Sequence, residues 1–191
     1  MAYPRSPNIP KNAKKVFEGE LFNVYQWRQK MFDGSYARFE MLDRVPTVDI
    51  IATVGDTIIV LTQKQPRRSW YSSLPGGRID PAERANNAAR RELLEETGYE
   101  PQKFLLFGAW FGHSKLYWPQ YLYTARGCKS VAKQKLDAGE KIKIRLVSFN
   151  AFLQLARDEE FGTALPLKFQ MYEALLDPKK KEKLRRKIFG N

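Results

Sequence analysis

Apolar and polar residues alternate along the first part of the chain in a way that predicts strands. Between residues 15 and 43, apolar and aromatic positions recur on both sides of Asp33-Gly34. Asp-Gly favours tight hairpin turns, so this segment predicts two or three antiparallel strands. The β-branched runs 48–54 and 57–63 flank Gly55-Asp56 and predict a second, more buried hairpin.

Residues 80–98 carry the clearest helical signals. Asp80 can cap the helix, Pro81 suits its first turn, and Glu83 completes a pattern like a capping box. Gly98 can end the helix, because glycine readily adopts the left-handed conformation found there. Further strands are predicted at 104–111, 117–126 and 141–148, and further helices at 150–158 and 165–176.

The order of strands, helix, strands and terminal helices predicts a mixed α+β fold with one central helix. A chain of 191 residues suits one domain with a small accessory element. We divide the chain into an N-terminal arm and β element (1–46), a main domain (47–178) and a basic C-terminal tail (179–191). Three prolines predict that residues 1–12 form a loose arm.

Composition narrows the class of protein. Hydrophobic residues make up 43% of the chain and aromatic residues 13%, which is enough for a packed core. No apolar run approaches the roughly eighteen residues of a membrane span, and the N-terminus lacks the apolar stretch of a secretory signal. We therefore expect no membrane partner. Cys128 is the sole cysteine, which excludes an intrachain disulfide and favours a cytoplasmic location.

The formal net charge is +12, which predicts attraction to polyanions. About half of the excess lies in residues 179–187, which hold seven Lys or Arg residues and one Glu. One interpretation of this segment is the solvated, frayed end of a helix. The other is a contact for nucleic acid.

Three carboxylates in the central helix point to metal chemistry. Glu92 and Glu96 are four residues apart and share a helix face, and Glu95 joins them three residues after Glu92. Glu83 lies nine residues before Glu92, roughly on the opposite side of an ideal helix. A divalent cation such as Mg²⁺ relieves the repulsion among the three and keeps waters for substrate phosphates. The alternative is an exposed Glu-rich helix with no ligand.

Residues beside these carboxylates fit the same interpretation. Gly76 and Gly77 precede the helix and let the backbone approach a metal or ligand closely. Arg91 stands next to Glu92 and one turn before Glu95, so it can hold those carboxylates in place.

From Gly77 to Tyr99 the chain fills every position of the pattern G-x5-E-x7-R-E-U-x-E-E-x-G-U, in which U is a bulky apolar residue. This segment resembles the Nudix box. The resemblance implies an α/β/α sandwich with a mixed sheet, here preceded by a small N-terminal antiparallel β element. It also implies Mg²⁺- or Mn²⁺-dependent hydrolysis of the diphosphate linkage in a nucleoside diphosphate derivative.

The resemblance assigns roles to the residues that match it. Glu92 and Glu96 would be metal ligands, Glu95 a ligand or a carboxylate that assists the base, and the Gly76 carbonyl a further ligand. Arg91 would act in catalysis by holding carboxylates. Gly77, Glu83 and Gly98 would support the structure.

A weaker resemblance extends beyond the box. The N-terminal strands, the acidic loop 136–140 and the strand after it are similar to the ADP-ribose pyrophosphatase branch. That branch implies a homodimer and a catalytic base from the loop, for which Glu140 is the candidate. Glu140 has an equal alternative as a simple turn residue.

The implied substrate is ADP-ribose or a nucleotide sugar. The alternatives are hydrolysis of non-canonical nucleoside triphosphates, and RNA 5′-end processing or RNA binding. Arg67, Trp70, Trp110 and His113 are the candidate substrate contacts, since an arginine can bind phosphate and aromatic rings can stack on a base. The alternative for these residues is an ordinary role in core or surface.

Overall fold

The computed structural model describes residues 6–190, apart from the side chain of His113. Part of the predicted loose arm, residues 1–5, lies outside these residues. The rest of the arm forms turns without a strand, and Ile9 packs against Tyr25 and Met41 in a small cluster of its own.

Strands and helices follow the predicted order. The strands are β1 (Lys14–Glu18), β2 (Phe22–Lys30), β3 (Tyr36–Arg44), β4 (Thr47–Val54), β5 (Thr57–Lys64), β6 (Tyr71–Ser73), β7 (Gly76–Arg78), β8 (Tyr99–Glu100), β9 (Lys103–His113), β10 (Leu116–Arg126), β11 (Lys129–Ser130) and β12 (Lys141–Ser148). The helices are α1 (Ala85–Thr97), α2 (Phe149–Gln154), α3 (Leu165–Leu176) and α4 (Pro178–Phe189), with a 3-10 turn at Leu155–Arg157 after α2.

The N-terminal hairpin is confirmed. β2 and β3 pair antiparallel from Phe22↔Arg44 to Lys30↔Tyr36. The turn between them holds Asp33-Gly34, where Gly34 has a φ of 85°. β1 pairs with the outer side of β2 and completes the predicted antiparallel β element.

The central sheet is mixed, as the fold class predicts. Its strand order is β1-β2-β3-β10-β4-β5-β12, and β10 runs parallel to both β3 and β4. β4 and β5 form the second predicted hairpin and pair at Thr53↔Ile58 and Val54↔Thr57. β12 pairs antiparallel with β5 along its whole length.

Two layers of helices enclose this sheet. Ile50 and Ala52 of β4 pack on one face with Leu93 of α1. Ile51, between them, packs on the other face with Leu167 of α3, because successive strand residues point to opposite faces. The buried alternation therefore gives the expected α/β/α sandwich.

The prediction that Asp80 caps the central helix is wrong. The helix begins at Ala85 with Arg84 as its N-cap, and residues 80–84 form a loop. Ala82 has a φ of 67°, which a right-handed helix does not allow. Glu83 accepts a hydrogen bond from the Asp80 backbone N–H at 3.1 Å, so the capping-box pattern closes a loop instead of starting a helix.

The basic tail is not a frayed end. Asp177 caps α4 by accepting hydrogen bonds from the backbone N–H groups of Lys179 and Lys180, at 2.7 and 3.3 Å. Leu184 and Ile188 are buried in the same core cluster as α3. The division of the chain at residue 178 stays a prediction.

Among the described residues, no helix has both the length and the apolar character needed to cross a bilayer.

Candidate active site

The loop before α1 is fastened to the helix through Gly76 and Glu96. The Gly76 backbone N–H donates to Glu96 Oε2 at 2.7 Å. A Cβ on Gly76 would lie 2.1 Å from the Val48 carbonyl oxygen, so only glycine fits beside β4. Glu96 is 4% exposed, and burial raises its pKa well above the ordinary value.

Gly77 leaves room for the second carboxylate. A Cβ at this position would lie 2.5 Å from Glu92 Oε1. Burial raises the pKa of Glu92 to about 6, although the neighbouring Arg91 guanidinium acts in the opposite direction. The glycine pair thus places the backbone directly against two carboxylates of α1, the buried Glu96 and the partly buried Glu92.

Arg91 is the hub of the carboxylate network. Its Nη1 donates to Glu92 Oε1 at 2.8 Å and to Glu95 Oε2 at 3.2 Å. Its Nε and Nη2 donate to the two oxygens of Glu83, at 3.1 and 2.9 Å, and its Nη2 also donates to the Arg78 carbonyl at 3.0 Å. Hydrogen bonding to Arg91 lowers the pKa of Glu83. The expectation that Arg91 holds Glu92 and Glu95 therefore agrees with the geometry.

Glu83 does not lie on the opposite side from Glu92. Because the helix begins only at Ala85, Glu83 belongs to the loop and folds back to reach the same arginine. Ideal helical geometry does not apply to this residue, which explains the error in the sequence analysis.

The loop between β11 and β12 brings an additional carboxylate to the site. Gly98 ends the helix with a φ of 73°, and its carbonyl accepts from the backbone N–H groups of Val131 and Ala132. The Lys135 backbone N–H donates to the Glu95 carbonyl at 2.8 Å, so the loop crosses the end of α1. Glu140 then reaches the same cavity, and burial raises its pKa.

A cavity of about 720 Å³ collects most of the predicted catalytic residues. Its walls include Gly76, Gly77, Arg91, Glu92, Glu95, Glu96 and Glu140. Arg67, Trp70 and Trp110 are not among its lining residues. Trp110 packs against the hydrophobic core, and Trp70 is 46% exposed with Lys143 Nζ 5.2 Å from its ring centroid. The His113 side chain lies outside the described residues.

Sequence analysis did not predict Arg44, Thr47 and Gln63, which also line the cavity. The Arg44 guanidinium lies 3.6 Å from the Trp118 ring centroid, and Trp118 Nε1 donates to Thr47 Oγ1 at 3.1 Å. Arg44 and Trp118 are 74 positions apart and meet because β10 runs beside β3 and β4. Tyr71, next to the predicted Trp70, lines the cavity as well.

The donor chemistry of the cavity fits a hard divalent cation. Glu92, Glu95, Glu96 and Glu140 offer only oxygen, which Mg²⁺ prefers. Negative charge on Glu92 and on Glu140 raises the pKa of Glu96, so a bound cation would relieve this repulsion. Within the described part of the chain, no three acidic, His or Cys side chains are already arranged as a ligand set. Arg91 instead donates hydrogen bonds to one oxygen of Glu92 and one of Glu95.

Comparison with known proteins agrees with this arrangement. The NUDIX domain family matches residues 43–166. The chain is 24% identical over 171 residues to an ADP-ribose pyrophosphatase of Bacillus subtilis (strain 168), covering 85% of this chain and 92% of that protein. It is 23% identical over 172 residues to a methanol dehydrogenase activator of Bacillus methanolicus, with the same coverage.

A solved structure described as an ADP compounds hydrolase has a similar fold. The TM-score is 0.70 at 20% identity, covering 88% of this chain and 94% of that one. The family match spans the box, strands β4 to β12 and the loop that carries Glu140. With the two glycines placed against Glu92 and Glu96, it leads to one conclusion: the chain belongs to the Nudix family and is a Nudix hydrolase, a diphosphatase.

Proposed function

We propose that this protein hydrolyses the diphosphate linkage of ADP-ribose or a similar nucleotide sugar. The observation that carries the proposal is one cavity lined both by the acidic floor, which is the carboxylates of α1 and Glu140, and by Arg44, whose guanidinium stacks on Trp118. The acidic floor suits a metal-bound diphosphate, and a stacked guanidinium offers a flat surface to a base. Similarity to an ADP-ribose pyrophosphatase along most of both chains supports this choice.

We assign the metal site to Glu92, Glu96, Glu95 and the Gly76 carbonyl. When bound there, Mg²⁺ or Mn²⁺ would neutralise diphosphate charge and lower the pKa of a water. Arg91 keeps Glu92 and Glu95 on the cavity side of α1, and Glu83 holds Arg91 in turn. The side chains are therefore oriented before any ligand enters.

Glu140 is our candidate for the general base. It lies on a loop rather than on α1, so it faces the cavity from a different direction than the ligand candidates. Burial raises its pKa, which makes its carboxylate a better proton acceptor near neutral pH. Glu95 is the alternative base.

In this proposal the nucleoside is recognised by Arg44 and Thr47, which line the cavity. Arg78 also lines it and can bind a phosphate. Arg67, Trp70, Trp110 and His113 stay predictions as substrate contacts. The first three lie outside the cavity walls, so they receive no support from the geometry.

We also propose a homodimer built on the N-terminal β element. β1 is the edge strand of the sheet, and Val16 and Phe17 on it are 50% and 56% exposed. Exposed edges of this kind favour pairing with another chain. Sedimentation of Phe17→Ser should show a monomer if β1 forms the interface, and an unchanged dimer would contradict this.

The function is tested with a panel of diphosphate compounds and Mg²⁺, with identification of the products. We expect the highest kcat/KM for ADP-ribose or a nucleotide sugar, and products split between the two phosphates. A preference for oxidised nucleoside triphosphates would favour the alternative activity. Turnover of RNA 5′ ends alone would contradict both.

Two variants test the site. Glu96→Gln should lower the rate by at least about a hundredfold without unfolding the protein, because the carboxylate serves the metal. Glu140→Gln should lower the rate while leaving metal affinity nearly unchanged. Full Mg²⁺-dependent activity of Glu96→Gln would remove the metal assignment, and normal turnover of Glu140→Gln would move the base to Glu95.

A further inference from the structure

The outward face of α3 carries a row of exposed apolar side chains. Leu165, Phe169, Tyr172 and Leu176 are 57%, 60%, 41% and 84% exposed. Their spacing of four, three and four residues places them on one side of the helix. We call this row the apolar ridge.

The ridge is unusual because the inward face of α3 is apolar as well. Leu167, Met171 and Ala174 are buried in the core. A helix on the surface of a protein normally has a polar outer face, and one that is apolar all round needs a second apolar environment. Scattered exposed leucines are ordinary, but a contiguous apolar patch marks an interaction site.

A row of cations on α4 lies next to the ridge. Lys179, Lys183 and Arg186 are spaced four and three residues apart, so they share the face turned away from buried Leu184. Lys180 extends this row, and its ion pair with Glu173 of α3 joins the two helices. We call these four cations the basic stripe.

Little neutralises the basic stripe. Within the described residues, Lys180 pairs with Glu173 and Arg186 pairs with Glu182, while Lys179 and Lys183 take part in no ion pair. The buried contacts of Leu184 and Ile188 fix the helix, so these charges are held together on a rigid support. Such an arrangement raises the local positive potential.

We propose that the apolar ridge and the basic stripe form a surface that docks this protein peripherally on an anionic lipid bilayer. The Leu, Phe and Tyr side chains of the ridge would enter the boundary between headgroups and acyl chains, and the lysines would contact lipid phosphates and carboxylates. Apolar side chains beside Lys and Arg are the pattern that binds this interface. The docking needs no membrane span.

Other occupants fit the surface less well. A second copy of this chain, docked at the same surface, would bring its own basic stripe against this one. Nucleic acid would suit the cations and could stack on Phe169 and Tyr172, but it would leave the aliphatic side chains of Leu165 and Leu176 without an apolar environment. A helical peptide needs a groove, whereas these side chains project outward.

The docking contact is expected to centre on residues 169–176 of α3. At the other end, the acidic turn 158–160 adjoins the helix, where Lys168 Nζ donates to the Asp158 carbonyl at 2.8 Å. Acidic side chains are repelled by anionic lipid, whereas Lys179 and Lys180 follow directly after Leu176. Phe169 and Leu176 are therefore the residues to change.

The experiment is co-sedimentation of the full chain with vesicles. We compare pure phosphatidylcholine vesicles with vesicles holding about one-third phosphatidylserine. We expect binding to the anionic vesicles that weakens with added salt, and little binding to the neutral ones. The double variant Phe169→Gln/Leu176→Gln should lose at least about tenfold in partitioning, since it removes two inserted side chains.

Matched controls are available on other surfaces. Phe111→Gln and Leu146→Gln remove side chains that are 53% and 48% exposed on β9 and β12, and they should bind as the unaltered protein does. Lys179→Gln/Lys183→Gln should weaken binding to anionic vesicles, whereas Lys30→Gln/Lys129→Gln should not. Thermal unfolding of each variant confirms that it is folded.

The proposal is overturned if the unaltered protein binds the anionic vesicles no better than the neutral ones. It is overturned as well if the ridge variant binds the anionic vesicles as the control variants do. It is also overturned if the ridge variant abolishes self-association or RNA binding while the unaltered protein shows no affinity for vesicles. In this last case the surface binds a second copy of the chain or nucleic acid instead. Hydrolytic activity enters none of these measurements.

Discussion

At the scale of single residues, the site depends on how closely the backbone approaches two carboxylates. Gly76 donates its N–H to Glu96, and Gly77 stands where any Cβ would meet the Glu92 carboxylate. Arg91 then holds Glu92 from the other side at 2.8 Å. Glu92 is therefore confined between a glycine and an arginine, so a small displacement of its carboxylate should lower the activity.

Gly77→Ala should reduce activity by about a hundredfold, since a misplacement on the order of 1 Å has effects of this size. The added methyl group would lie 2.5 Å from Glu92 Oε1 and push that side chain off Arg91. The measurement is kcat/KM together with the melting temperature. Gly139→Ala is the matched control, because its Cβ would make an ordinary van der Waals contact of 3.6 Å with Pro66 Cδ. Equal activities for the two variants would contradict the tight fit at Gly77.

Asp49 gives a prediction about pH. Its Oδ2 accepts from the Ala164 backbone N–H at 3.2 Å, and burial raises its pKa from 3.8 to about 7. A carboxyl whose pKa is raised by folding favours the folded state when protonated. Its contribution is fully present below pH 3.8 and is lost as the pH rises to about 7.

Asp49→Asn should therefore be more stable than the unaltered protein at pH 8, with the difference shrinking toward pH 4. The asparagine amide oxygen can still accept the hydrogen bond from the Ala164 backbone N–H, but the amide stays neutral at every pH in this range. Melting temperatures across this range provide the measurement. A difference that does not depend on pH would show that the Asp49 carboxyl does not titrate as proposed.

At the scale of elements, local signals placed most helices and strands but not all of their ends. α3 and β12 have the bounds that periodicity predicts. The N-cap of the central helix is Arg84, four residues after the predicted Asp80, because the left-handed Ala82 and the contact between Glu83 and Arg91 hold residues 80–84 as a loop. The pattern of Asp80 and Glu83 is compatible with the start of a helix or with a loop. The contact of Glu83 with Arg91, eight residues further along, selects the loop.

α4 shows the same limit. Its charge predicted a solvated segment, yet Leu184 is 4% exposed and Ile188 fully buried. Arg126 donates to the carbonyls of Ile188 and Lys187, both at 2.8 Å, and so secures the end of the helix. The two apolar residues in a run of lysines are easily overlooked, because their partners lie on other elements.

Leu184→Ala should lower the free energy of unfolding by about 2–4 kcal/mol, as expected for a leucine truncated in a core. Leu176→Ala, at a position 84% exposed, should change it by less than about 0.5 kcal/mol. Urea unfolding of both variants provides the comparison. Similar stabilities would mean that α4 is not part of the cooperative core.

At the scale of the whole molecule, the carboxylates of the cavity make the stability of the fold sensitive to a bound cation. Burial raises the pKa values of Glu92, Glu96 and Glu140, so each ionised side chain opposes folding near neutral pH. A ligand that binds only the folded state stabilises it by about 2.7 kcal/mol at a concentration one hundred times its Kd. Metal binding and stability are therefore linked.

Mg²⁺ should raise the melting temperature at pH 7.5, and chelation should reverse the increase. Glu96→Gln should lose most of the increase, whereas Glu100→Gln, outside the cavity walls, should keep it. Differential scanning calorimetry over a Mg²⁺ series gives the measurement. An equal increase in both variants would place the cation elsewhere.

The sequence by itself determined the chemistry of the helix that carries the site. Glu92, Glu95 and Glu96 share a face because of helical periodicity, and Gly76 and Gly77 stand just before them whatever the rest of the fold does. These features are local, so their spacing along the chain is enough to predict them.

Only the tertiary structure decided what surrounds that helix. Pairing of distant strands brings Arg44 to Trp118, and the loop between β11 and β12 brings Glu140 to the cavity. Packing of α3 and α4 buries Leu184 and leaves Phe169 and Leu176 outside, although the sequence marks all three only as apolar. Which apolar residue is covered depends on contacts between distant segments, and these follow from the whole fold rather than from any one segment.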